Sequence, residues 1–129
     1  MTPPDRTIAS PSNPRVRAAA ALRDRRERER TGRILIDGAR ELLRALDSEV
    51  EVETVFVCRE RCRSAACSEL LDRLQPDDPR VTAVSESALA KLAFGDRADG
   101  VVGVALRPDL TLDRLRLDLR SLIVVVEAV

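Results

Sequence analysis

Histidine, tryptophan and tyrosine are absent from this 129-residue chain, and phenylalanine occurs twice, as Phe56 and Phe94. The absence of histidine removes a His-dependent zinc site, a Ser-His-Asp triad and a Cys-His pair. Two aromatics give little basis for the base-stacking platform used by many single-strand binders. Lysine is nearly absent as well: Lys91 is the one lysine among 22 basic residues. The other cations are arginines, which make planar, bidentate contacts to phosphate or carboxylate. No apolar run approaches the roughly 20 residues of a membrane span. The N-terminus, Pro- and Ser-rich, lacks the apolar core of a secretory signal.

Three cysteines, Cys58, Cys62 and Cys67, are an odd number in a C-x3-C-x4-C spacing without a fourth ligand. That spacing matches no strong zinc pattern, so no metal is expected. Reduced thiols in a cytoplasmic protein are the expectation. Cys58 is expected in a strand and Cys67 on a helix, as small apolar residues.

The length suggests one domain. An apolar fraction of 44% provides a core, and 34% of residues are charged. Formal net charge is zero, from 22 basic and 22 acidic groups, yet the charges are segregated. Residues 1–45 carry 11 arginines against six acids, and residues 46–129 carry 11 basic and 16 acidic groups. Such asymmetry suits either a nucleic-acid contact surface or a solvated, salt-bridged helix.

Along the chain, residues 1–12 read as a flexible arm. Asn13-Pro14 is a helix start, with Asn as N-cap and Pro at the first helical position. The predicted helix runs from Pro14 to about Arg30 and stops at Thr31-Gly32. Strands are predicted over 33–37, 52–58, 81–84 and 101–106, alternating with helices over 39–46, 64–74 and 86–94, the last ended by Gly95. This alternation predicts an α/β domain with a parallel or mixed sheet. Leu122 to Val126 is a continuous apolar run, typical of a strand covered on both faces. It reads either as a last strand of the same sheet or as the first strand of a further domain.

On one continuous helix at about 100° per residue, Arg15, Arg23, Arg26 and Arg30 form one stripe, with Arg17 and Arg28 on another face and Arg25 between them. Arginines at helical spacing can track nucleic-acid phosphates.

The order of motifs resembles the N-terminal substrate-binding domain of SpoU/TrmH-type RNA 2′-O-ribose methyltransferases, the SPOUT superfamily that includes the thiostrepton-resistance enzymes. The family pattern is roughly S-x-x-N-P-x-V-K, a basic helix, then F-L-x-E-G. Asn13, Pro14, Val16 and Arg17 match its first part, and Arg25, Arg28 and Arg30 the basic run. Ile34 and Asp37 replace Phe and Glu ahead of Gly38. VSESALAKLAF and DGVVGVALRP resemble the closing helix and strand, with Asp99 in place of Gln or His, and SLIVVVEAV resembles the first strand of the knotted catalytic domain.

The resemblance implies a three-layer α/β/α sandwich akin to RNA-binding ribosomal proteins, with residues 13–108 as the RNA-binding domain. Residues 109–129 would be a linker and the first strand of a SPOUT domain otherwise missing from this chain. It implies a structured RNA partner, rRNA above all. The parent enzyme would use S-adenosylmethionine and form a homodimer. This fragment would be a monomer without catalytic residues or cofactor of its own. Joining geometry and family pattern, the candidate RNA-binding residues are Asn13, Arg15, Arg17, Arg23, Arg25, Arg26, Arg28, Arg30 and Arg33. A stand-alone RNA-binding protein of the ribosomal-protein type is the alternative.

Overall fold

The computed structural model describes residues 7–94 and 99–128. Four strands form one mixed sheet in the order β1-β4-β2-β3: β1 Arg33–Asp37, β2 Val52–Val57, β3 Val81–Ala83 and β4 Val101–Leu106. β4 runs antiparallel to both β1 and β2, whereas β2 and β3 are parallel. Five α-helices are present among the described residues: α1 Pro14–Ala20, α2 Arg25–Thr31, α3 Ala39–Asp47, α4 Ala65–Leu74 and α5 Glu86–Leu92.

Period-2 alternation along the central strands sends side chains to two separate cores. Phe56, Val102 and Val104 face Val16 and Ala19 of α1 and Ala88, Leu89 and Leu92 of α5. Val55, Val57, Val101 and Ala105 face Leu42 and Leu43 of α3 and Leu70 and Leu74 of α4. Helices therefore cover both sheet faces, as expected for the three-layer sandwich. Leu42, Leu70, Leu89 and Leu92 are fully buried, each contributing about 1.5–3 kcal/mol of hydrophobic stabilisation. At Gly103 an added Cβ would fall 2.3 Å from Leu42 Cδ2, so the missing side chain lets α3 lie close on β4.

Three expectations change, and one of the two readings of residues 122–126, a last strand of the same sheet, is excluded. The helix predicted from Pro14 to Arg30 is two helices, joined by a 3₁₀ turn over Ala21–Arg23 and an extended Asp24. Burial of Leu22 draws the turn inward, and the Asp24 carboxylate accepts from the Arg26 amide at 2.8 Å, capping a new helix. Within the arm expected over 1–12, Ile8 bridges Val84 in parallel, and its amide donates to the Ala83 carbonyl at 2.9 Å. Cys62 and Cys67 are joined by a disulfide with Cα atoms 5.6 Å apart, in place of the expected thiols, because the turn after β2 returns Cys62 beside the first turn of α4. Residues 122–126 take no place in the sheet: a strand needs a partner ladder, and Leu122, Val124 and Val125 are exposed. The first residues of the arm and the stop at Gly95 lie outside the described residues.

Candidate nucleic-acid interface

The break at Asp24 decides where the arginines go. Asn13 caps α1, its Oδ1 accepting from the Arg15 amide at 2.9 Å. Arg15 leans over the sheet, donating to Thr82 Oγ1 at 3.0 Å with its guanidinium 6.0 Å from the centre of the Phe56 ring. Arg17, on the same short helix, is exposed. Arg23, at the turn, donates to the Ala93 carbonyl and stacks on Phe94, 5.2 Å from its ring centre.

On α2 the arginines meet acids and carbonyls of their own neighbourhood. Arg25 pairs with Glu29 and Arg30 with Glu27, both at 2.8 Å. Arg28 donates to the carbonyls of Leu22 at 2.9 Å and Arg23 at 2.6 Å, clamping the end of the preceding turn. Arg26 is exposed; among the described residues its guanidinium makes no hydrogen bond or ion pair, and its charge helps to lower the Glu27 carboxyl. Arg33, at the start of β1, reaches across β4 to Glu53 on β2 through two hydrogen bonds, at 2.6 and 3.1 Å. The Arg30 guanidinium holds the Glu27 carboxyl below its ordinary range.

The candidate arginines are therefore divided among three clefts, and the predicted stripe is split between two of them. Arg15, Arg30 and Arg33 border one of about 380 Å³ together with Glu27 and Glu53. Arg25 and Arg28 border one of about 280 Å³ with Glu29 and Arg107. Arg17 and Arg23 border a third of about 450 Å³ with Lys91. Arg26 lines none of these three. The single helical face of Arg15, Arg23, Arg26 and Arg30 does not exist, because the turn at 21–24 resets the helical phase.

A fourth cleft, about 630 Å³, lies where β1 ends and β4 begins, lined by Asp37, Gly38, Arg40, Glu41, Ser64, Ala66, Phe94 and Asp99. Asp37 Oδ2 accepts from the Phe94 amide, and Asp99 Oδ2 accepts from the Ala39 amide at 3.2 Å, capping α3 from across the fold. Gly38, at φ +112°, makes the tight exit from β1 into α3. Burial raises the Asp37 carboxyl above its ordinary range; the Phe94 amide and Arg23 oppose this, while Glu41 and Asp99 reinforce it. The sequence reading singled out Asp37 and Asp99 without a role and passed over Arg40 and Lys91. Lys91 lies in the last turn of α5, which packs on α1, and no local pattern signals that contact. Among the described residues no group of three cysteines or acids is placed to hold a metal ion. Among the described residues no helix is long and apolar enough to cross a membrane.

Residues 13–103 match the family model of the MRM3-like substrate binding domain. The crystal structure of an RNA 2′-O ribose methyltransferase superposes with a TM-score of 0.73 at 33% identity, over 87% of this chain and 42% of that one. The SpoU methyltransferase AviRb from Streptomyces viridochromogenes, solved with AdoMet, gives 0.64 at 26% identity, over 82% and 40%. An rRNA methyltransferase from Sinorhizobium meliloti shares the fold, with a TM-score of 0.60 at 20% identity, over 77% and 36%. The chain thus spans 36–42% of the length of these structures. No curated protein matches it in sequence.

Proposed function

Given that the chain belongs to the MRM3-like substrate binding domain family, we propose that it is the RNA-recognition domain of an S-adenosylmethionine-dependent RNA 2′-O-ribose methyltransferase acting on ribosomal RNA. The observation that carries this reading is the family match over residues 13–103, joined to a 33% identical RNA 2′-O ribose methyltransferase of the same fold. Residues 13–108 form the RNA-binding unit, and residues 109–129 lead toward the catalytic domain, through which the parent enzyme forms a cytoplasmic homodimer. The exposed apolar side chains from Leu110 to Val126 support that assignment, since they need a covering partner.

The candidate set divides by role. Arg17, Arg23, Arg25, Arg26 and Arg30 present positive charge to the phosphates. Asn13, Arg15, Arg28 and Arg33 hold the shape of that surface through the cap, Thr82, carbonyl and Glu53 bonds. Phosphate contacts of this kind position an RNA without reading its sequence. With one exposed phenylalanine, recognition rests on shape and backbone more than on stacking.

On this reading S-adenosylmethionine is held by the catalytic domain of the parent enzyme. The test is competition: labelled fragments of deproteinised ribosomal RNA are bound to the purified chain and challenged with unlabelled rRNA, transfer RNA and duplex DNA. Displacement by rRNA at the lowest concentration is expected. Equal displacement by duplex DNA contradicts the reading.

A further inference from the structure

The cleft of about 450 Å³ between α1 and α5 differs from the other three in its charge. Arg17, Ala20, Ala21 and Arg23 line one side, and Ala90 and Lys91 the other, with no carboxylate. Asp37, Glu41 and Asp99 border the largest cleft, Glu29 the smallest, and Glu27 and Glu53 the fourth. Among the described residues this is the one cleft of the four whose charged lining is wholly cationic.

Its cations are also available. Arg17 and Lys91 are exposed, and the structure gives neither a partner among the described residues. Arg23 is anchored by the Ala93 carbonyl and the Phe94 ring, so little side-chain entropy remains to be lost when it meets an anion. Asp37, whose carboxyl feels the Arg23 charge, is engaged by the Phe94 amide. By contrast, Arg25 and Arg30 on α2 must give up Glu29 and Glu27 before meeting phosphate in full. Three alanines as walls let a backbone approach closely between the charges.

We infer that the α1–α5 cleft, with Arg17, Arg23 and Lys91, is where this domain grips the phosphodiester backbone of its RNA. The inference rests on the RNA-binding reading above and narrows it to one surface. It joins two arginines from different faces of the predicted helix with the sole lysine.

The test measures affinity for labelled rRNA fragments against salt concentration, for wild type, three double variants and one single control variant. In Arg17→Ser with Lys91→Ser, affinity falls across all fragments and the slope of log K on log salt loses about one per residue. The charge-preserving pair Arg17→Lys with Lys91→Arg keeps the wild-type slope. Arg44→Ser, exposed on α3 on the opposite sheet face, controls for loss of net charge and leaves the slope unchanged. Circular dichroism melting confirms that the variants fold. If the Ser variant keeps the wild-type slope while Arg25→Ala with Arg30→Ala loses it, the inference is overturned and RNA binding stands. If wild type binds no RNA, the underlying reading fails instead.

Discussion

The backbone amide of Phe94 donates to Asp37 Oδ2 at 2.6 Å, tying the segment after α5 to the end of β1. Burial, reinforced by Glu41 and Asp99, nonetheless raises the Asp37 carboxyl above its ordinary value of 3.8. A carboxyl with a raised folded-state pKa binds its proton more tightly folded than unfolded. Its favourable contribution is full below the unfolded pKa and is lost as pH rises through the folded one. Asp37→Asn removes the charge and keeps an acceptor for Phe94. The variant is expected to match or exceed wild-type stability at pH 7, by less than about 1 kcal/mol. The difference shrinks toward pH 3. Urea unfolding at both pH values measures it, and a variant clearly weaker at pH 7 contradicts the assignment.

Asp24 is the cap that makes two helices out of one basic run. Asp24→Ala removes the bond to the Arg26 amide and is expected to cost about 0.5–2 kcal/mol. Amide hydrogen exchange locates the change: residues 25–28 lose protection, while α5 keeps it. Unchanged exchange in α2 would show that the cap does not hold the break.

Gly32 and Gly100 separate conformational strain from steric conflict. Both have positive φ, +67° and +80°. An added Cβ meets nothing at Gly32, but at Gly100 it falls 2.8 Å from the backbone of Arg61 and Cys62. Gly32→Ala is expected to cost about 1–2 kcal/mol from backbone strain. Gly100→Ala carries a similar strain with overpacking of about 1–3 kcal/mol added. Thermal melting of the two variants ranks them, and a smaller loss at Gly100 contradicts the packing described.

Cys58 is fully buried, and burial, with a bond to Glu60, raises its thiol above the ordinary range. Iodoacetamide at pH 8 is expected to leave the native, unreduced chain unlabelled. It labels one cysteine after unfolding and three after unfolding with reduction. Three labels without reductant would mean that Cys62 and Cys67 are not joined.

The alternation of strand and helix was legible in the sequence because each element carries its own local period. Asn13-Pro14 was legible for the same reason, as a cap is a contact between near neighbours. The break at Asp24 had a local signal too: Asp24 followed three residues later by Glu27 is a capping pattern. The run of arginines, good helix formers, masked it. The roles of Asp37 and Asp99 were not legible. Their partners, Phe94 and Ala39, lie 57 and 60 residues away, and no local pattern announces a cap supplied across the fold. The grouping of Arg17 with Lys91 was hidden likewise, since it depends on how α1 packs against α5.

RNA recognition by this domain is tested most directly by the salt dependence of its affinity for deproteinised rRNA fragments. With several arginines and one lysine contacting phosphates, log K is expected to fall linearly with log salt, at a slope steeper than about −2. A slope near zero, or no measurable affinity at low salt, would contradict it.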